Sequence, residues 1–439
     1  MTSNNTHWLD KLYRRLNREK GKRVCTGISE DACKQAPRNY FVILLSNLFT
    51  SLADTLSNPK TVLTWLMSYI HAPVYLISLI VPLRESGSML PQIILADYVK
   101  QKKIRKWLWI TGIVLQGLMV IAMGLVAFYT QGVMAGWLII VLLVVFSLSR
   151  ALSSIASKDV LGKTIPKTRR GKLKGYTISV SGVLVSAAAL YIIYHSKTEQ
   201  NISFYTRIIF FSGILWMIAA LIFSRVKEFP SEPVEATSKG HTLQKFKLLI
   251  TEKTFRRFII SRALLLVSAL SSPFYVLLAH QYVGKDSYLL GLFIMANGLA
   301  SIISSPFWGR LTDKSSKTAM ALGGFIASVL GLVMFIVIVM LPELRTESWL
   351  YPVAFFILGI AHTGVRLGRK TYVVDMAKGN QRTDYVAISN TIIGLILLFT
   401  GGISALASLV SVESVILGLS LLGIIGAVSS YRLPNVEKE

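Results

Sequence analysis

The sequence predicts an all-α integral membrane protein of twelve transmembrane helices, on three observations. Hydrophobic residues make up 53% of the chain and charged ones 16%, where a soluble protein carries about 25% charged residues. Between Trp107 and Ser149 there is no Asp, Glu, Lys or Arg. That run is too long for one span of about 20 residues and fits two, joined at Tyr129-Thr130-Gln131-Gly132. Third, alternate connections between the apolar runs are basic. Runs this long and this frequent do not fit the core helices of a soluble protein.

In chain order, residues 1–38 are polar and basic, with neither an apolar core nor a cleavage-site pattern, so no cleavable signal peptide is expected. Residues 8–20 read either as an amphipathic helix on the membrane surface or as a disordered tail. Cys25 and Cys33 match no zinc spacing and are expected to be free thiols in a reducing cytoplasm. Twelve spans follow, at 40–69, 73–96, 107–129, 133–157, 175–196, 203–224, 258–281, 288–309, 318–341, 348–374, 384–409 and 413–431. The tail and the even-numbered connections hold nearly all the flanking Lys and Arg, while the odd-numbered ones hold only Lys197, Lys285 and Arg345. Basic loops stay in the cytoplasm, so both termini are expected there. The formal net charge of +25 then reads as an orientation signal, and no nucleic-acid partner is expected.

The charges also carry a repeat. Asp97 and Asp313, Arg150 and Arg366, and Asp159 and Asp375 are each 216 residues apart, in the same order and at the same places relative to their spans. A duplicated six-helix unit explains this. The expected organisation is a basic tail 1–38, a first bundle 39–224, a central cytoplasmic loop 225–257, a second bundle 258–432 and a tail 433–439.

Twelve spans as two like halves are the layout of parallel-repeat transporters, and here the chain resembles the major facilitator superfamily. The family's loop signature, G-x3-D-(R/K)-x-G-(R/K)-(R/K), is approached by Gly309-x3-Asp313-Lys314-x-Ser316-Lys317, with serine for the second glycine. The first-half copy has Ile93 for the leading glycine, keeps Asp97 and supplies Lys100, Lys102 and Lys103. A further family-like stretch, residues 157–175, contains Asp159, Pro166, Arg170, Gly171 and Gly175. The resemblance covers about residues 40–432 and implies two six-helix bundles related by a pseudo-two-fold axis. It also implies cytoplasmic gating latches: Asp97 with Lys102 or Lys103 and Asp159, and Asp313 with Lys317 and Asp375. Such contacts bias a two-state equilibrium when they form in one state and break in the other.

Ionisable residues inside the spans are functional candidates, because hydrocarbon penalises them. Asp54 and Asn58 share a face of span 1, ahead of Pro59 and Lys60, and Pro59 is expected to kink the helix. Arg84, Ser88 and Gln92 make a stripe on span 2 beside Glu85, Arg150, Ser154 and Lys158 make one on span 4, and His362, Arg366 and Lys370 make one on span 10. Stripes at this spacing point to a wet path. Asp54 and Glu85 against Lys60, Arg84, Arg150 and Arg366 leave a cationic surplus, which attracts an anion. Arg150 and Arg366 read as a clamp with one arm per half or, nine residues (about 13 Å) from Asp159 and Asp375, as vestibule residues. Arg84–Glu85 and Asp54–Lys60 read equally as structural ion pairs. Asp54, Glu85 and His362 are the candidate proton carriers.

No G-x4-G-K-(S/T), HExxH, GxSxG or paired CxxC occurs, so neither an enzyme nor a cofactor is expected. Span 5 lacks the Gly-Pro of the family's drug exporters, and Arg150 lies late in span 4. The expectation is a monomeric secondary transporter of the bacterial inner (plasma) membrane, working by alternating access on a small organic anion with protons or a counter-substrate. Export of amphipathic compounds, or a non-transporting receptor on the same fold, are the alternatives.

Overall fold

A computed structural model describes residues 3–17, 25, 28–195, 201–230, 246–284, 286–376 and 382–436. The described chain is helical, and ten helical stretches, one of them the interrupted Lys253–Tyr282, are long and apolar enough to cross a membrane. The two remaining spans of the expected twelve fall where helices break. Span 1 is α2 (Glu30–Leu56) followed by α3 (Val62–Tyr69), and span 2 is α4 (Val74–Met89) followed by α5 (Gln92–Lys100). The expected kink at Pro59 is thus a full interruption. Its freed backbone groups are re-satisfied locally: Asn58 Oδ1 accepts the Lys60 amide at 2.8 Å and Thr64 Oγ1 donates to the Pro59 carbonyl at 2.6 Å. Span 7 is likewise broken, into α11 (Lys253–Leu264), α12 (Val267–Leu270) and α13 (Ser272–Tyr282). The other spans are continuous: α6 (Lys106–Tyr129), α7 (Gly132–Thr164), α8 (Arg170–His195), α9 (Ile202–Ser224), α14 (Ser287–Lys314), α15 (Ser316–Met340), α17 (Leu350–Met376), α18 (Arg382–Ala407) and α19 (Val412–Tyr431). Short helices α10 (Leu248–Thr251) and α16 (Pro342–Arg345) lie in connections.

Each half packs in the same way. In the first, α6 lies against α7 and α9, and α2 against α9; in the second, α15 lies against α17 and α19, and α11 against α19. Close approach is bought with glycine: a Cβ on Gly112 of α6 would sit 2.8 Å from the Ser149 carbonyl of α7, and one on Gly323 of α15 would sit 2.7 Å from the Ala361 carbonyl of α17 and 2.9 Å from the Val365 amide. Ser149 and Val365 are themselves 216 apart, so the charge repeat is matched in packing. The halves meet through α4 on α18, α8 on α14 and α3 on α13. Outward faces are apolar, as Leu118, Leu125, Phe211, Val333 and Ile336 illustrate, which suits contact with lipid chains.

The tail has structure of its own. Helix α1 (Ser3–Asn17) buries Tyr13 edge-on to Tyr40 with ring centres 5.3 Å apart, and its end is held by Lys172 donating to the Asn17 carbonyl at 2.9 Å. Of the two readings of residues 8–20, the helical one describes their first part; residues 18–20 lie outside the described residues. Cys25 and Cys33 are joined as a disulfide with Cα atoms 5.7 Å apart, which corrects the expectation of free thiols. Cys33 sits on the first turn of α2, and Cys25, eight residues earlier, lies within bridging distance of it.

The glycine contacts make a stability prediction. Gly323→Ala forces a Cβ against backbone and should cost about 1–3 kcal/mol, read as a lowered thermal unfolding midpoint in detergent. Gly402→Ala, inside α18 where nothing lies within 4 Å, should leave the midpoint level or raise it, since Ala is the better helix former.

Candidate functional site

The interruption of span 1 sets the site. Because the helix stops at Leu56, the last turn of α2 delivers Asp54, and the Asn58–Lys60 turn delivers Lys60, to a cavity of about 450 Å³ between the two halves. Asp54 is the centre of its first-half wall. Arg150 of α7 grips it with two parallel hydrogen bonds, Nη1–Oδ1 at 2.7 Å and Nη2–Oδ2 at 3.0 Å, and Arg84 of α4 adds Nη2–Oδ1 at 2.6 Å. A fork-on-fork guanidinium–carboxylate pair is among the strongest side-chain contacts. Arg84 also reaches Glu85 at 3.3 Å and lies 5.9 Å from the Phe146 ring centre. On the far side of the Asp54–Arg150 pair is a second, hydroxyl-rich cavity of about 250 Å³, lined by Asn47, Thr50, Ser51, Gln116, Ser153 and Ser157 among others.

The second-half wall is built differently. His362 of α17 stands between Ser268, at 3.2 Å from Nδ1, and Lys60, at 3.4 Å from Nε2. An ammonium only donates, so a charged Lys60 calls for the tautomer in which Nε2 accepts and Nδ1 faces the Ser268 hydroxyl. Below it, Arg366, Arg369 and Lys370 line the cavity from successive turns of the same helix. From α11, buried Arg262 donates to Ser389, and to Asn390 Oδ1 at 3.0 Å, both neutral acceptors on α18. Asn390 in turn donates to Gln92 Oε1 at 3.3 Å, a contact across the halves. Among the lining residues the carboxylates are Asp54 and Glu85, both first-half, against seven cations: Lys60, Arg84, Arg150, Arg262, Arg366, Arg369 and Lys370.

The cavity therefore brings together Asp54, Asn58, Lys60, Arg84, Glu85, Arg150, His362 and Arg366 from the candidates named on sequence, with Gln92 one contact away. The expected Asp54–Lys60 pair is not what forms, since Asp54 takes two arginines and Lys60 faces His362. Arg150 and Arg366 do not act as like arms, because Arg150 is engaged by Asp54. Arg262 and Arg369 were missed, although the expected spans 258–281 and 348–374 already contain them; Arg262 stands alone on its span, and Arg369 falls between the i, i+4 positions of the His362, Arg366 and Lys370 stripe.

One latch contact differs from expectation. Asp159 pairs with Arg105 at 3.0 Å, rather than with Lys102 or Lys103. Lys102 lies over the Tyr98 ring, and the Lys103 carbonyl accepts from Lys163. The side chain of Asp97 lies outside the described residues. Arg170 donates to the Gly162 and Ile165 carbonyls, closing the end of α7. Glu228, unnoticed in the sequence, is fully buried. It accepts the Arg105 and Lys106 amides at the start of α6 and pairs with Lys163 at 3.0 Å, satisfying helix-terminal donors. In the second half Lys317 donates to the Leu433 carbonyl at 2.7 Å. Asp313 and Lys314 are exposed, and a Cβ on Gly309 would meet nothing within 4 Å. Asp375 lies near the end of α17.

Comparison with known proteins fits this arrangement. The family model of the Major Facilitator Superfamily matches residues 43–341 and 265–439, and the chain belongs to that family. A comparison with curated proteins gave no match. Solved structures give the fold: a D-xylose-proton symporter (TM-score 0.67, 12% identity, 91% of this chain and 98% of that one), a nucleoside transporter (0.65, 10%, 90% and 99%) and a POT family transporter in complex with 5-aminolevulinic acid (0.66, 10%, 89% and 95%). The chain is thus a multi-pass integral membrane protein with a transporter fold, and the comparisons indicate a transporter rather than an enzyme.

Asp54→Asn should strand two arginines and lower stability by about 2–3 kcal/mol, whereas exposed Asp313→Asn should shift it by no more than about 0.5 kcal/mol. Thermal unfolding of the two variants beside the parent checks this.

Proposed function

We propose that the protein is a secondary transporter of a small organic anion, moved across the inner or plasma membrane by alternating access. The observation that carries this reading is the charge of the cavity: two carboxylates against seven cations, with four of the cations on the second half. A concave site between two helix bundles, with convergent polar groups, is where a solute of this fold class is held. Uncompensated cations out of bulk water are costly, and an anionic solute relieves that cost while it sits there. In this reading both termini face the cytoplasm, which the basic flanking loops support.

The two halves hold each other at the end away from the basic loops. There Ser68 of α3 meets His280 of α13 at 3.0 Å, and the Trp65 ring lies edge-on to the same histidine. Opening that contact while the opposite ends close exchanges access. Arg105–Asp159 and Glu228–Lys163 tie the basic-loop ends of the first half together so that it moves as a unit. Proton coupling is assigned to the first-half carboxylates, Asp54 and Glu85, whose protonation would release Arg84 and Arg150 toward the cavity.

Arg366 tests the reading well, since truncating it strands no carboxylate partner among the described residues. In proteoliposomes an organic anion should be taken up, and Arg366→Ala should weaken its binding by about tenfold or more, the worth of one charged hydrogen-bonding contact. Uptake of neutral or cationic amphiphiles that tolerates Arg366→Ala would instead identify an exporter of such compounds. No solute binding at all would identify a non-transporting protein.

A further inference from the structure

We infer that the group the cavity recognises is a dianionic phosphate, seated on Arg366, Arg369 and Lys370 of α17; this rests on the anion reading above and specifies it. The charges divide into two sets. Asp54 and Glu85 cancel Arg84 and Arg150, all four within one hydrogen-bonded cluster of the first half. Lys60, Arg262, Arg366, Arg369 and Lys370 remain, and no carboxylate of the second half lines the cavity. A single carboxylate leaves four of these five cations unmatched, so the cavity calls for an anion of higher charge.

Geometry then selects a compact group over two separated ones. Arg366, Arg369 and Lys370 are spaced i, i+3 and i+4 on one helix. Side chains at that spacing share a face, with Cβ atoms about 5–6 Å apart. Their charged ends can meet on one small multi-oxygen group, whereas on the first-half wall Arg84 and Arg150 are taken by Asp54 and only Lys60 is left over. Two planar guanidinium forks and one ammonium supply the donors a tetrahedral oxyanion takes: forks bind phosphate oxygens in pairs, and the ammonium adds a point charge. Among the described residues, Arg366, Arg369 and Lys370 have no hydrogen bond or ion pair, so those donors are available. Arg262, spent on Ser389 and Asn390, adds field rather than a contact. Asn297, Ser301 and Thr363 remain on the same cavity for an uncharged, hydroxyl-bearing remainder.

The test is calorimetric binding to the detergent-solubilised full chain at fixed ionic strength, with glycerol 3-phosphate, inorganic phosphate, glycerate, succinate and glycerol as probes. Both phosphate compounds should bind about tenfold or more tighter than glycerate and succinate, and Arg369→Gln should remove that advantage while changing glycerate binding less than about threefold. Arg369→Lys, which keeps the charge and loses the fork, should fall between. Inorganic phosphate binding as well as the ester makes the phosphate group the whole ligand, and a tighter ester assigns the rest of the cavity to an organic part; both support the inference. Should Arg369→Gln fail to fold by thermal unfolding, Lys370→Gln carries the same comparison. Glycerate or succinate binding as tightly as the phosphates would overturn the phosphate assignment and leave the anion reading standing. Binding of glycerol alone, or of none of the five, would overturn both.

Discussion

The structure depends on one buried carboxylate and what it restrains. Asp54 stands on the last turn of α2, where span 1 breaks, and holds Arg150 of α7 and Arg84 of α4 with three short hydrogen bonds. Arginines inside a membrane protein take a partner or face a wet cavity, and here the pairing fixes three helices of the first half around one atom group. It also leaves Lys60 as the one unmatched cation that half gives to the cavity lining. The second half has no counterpart, since its cations face the cavity with neutral acceptors or with none described. The asymmetry, laid over a backbone that is internally repeated, turns a symmetric scaffold into a site with a polar direction.

Much of the fold was legible because membrane burial writes itself into composition. Charge-free runs mark spans, basic loops mark one side, and the 216-residue recurrence of Asp, Arg and Asp marks the duplication, echoed by Ser149 and Val365 at the two glycine contacts. What was not legible was where a span stops being a helix. Pro59 announced a bend, but whether the chain kinks or breaks depends on Asn58 and Thr64 taking up the freed backbone groups. In span 7 the two short interruptions follow Leu264 and Leu270, with no proline before Pro273.

The site was legible in its members and illegible in its pairings. A helical stripe of His362, Arg366 and Lys370 can be read from spacing alone. That Arg150 turns to Asp54, 96 residues away, cannot, because the choice among several carboxylates is made by helix packing. Arg369 illustrates the other failure. It lies inside the expected span 348–374, but an i, i+4 stripe picks out His362, Arg366 and Lys370 and passes over the i+3 neighbour that lines the same cavity. Glu228 was hidden similarly, by sitting among basic loop residues while its carboxylate caps the amides that begin α6.

The central claim is that a first half neutralised but for Lys60 faces a cationic second half across one cavity, and that the second half takes the anion. A structure determined with a saturating anionic solute tests it most directly. The account predicts density for the anion against Arg366, Arg369 and Lys370, with Asp54 still bridged to Arg150 in the state the solute first meets. Density seated on Arg84 and Arg150 with Asp54 displaced, or a solute held by apolar walls away from every cation, would contradict it.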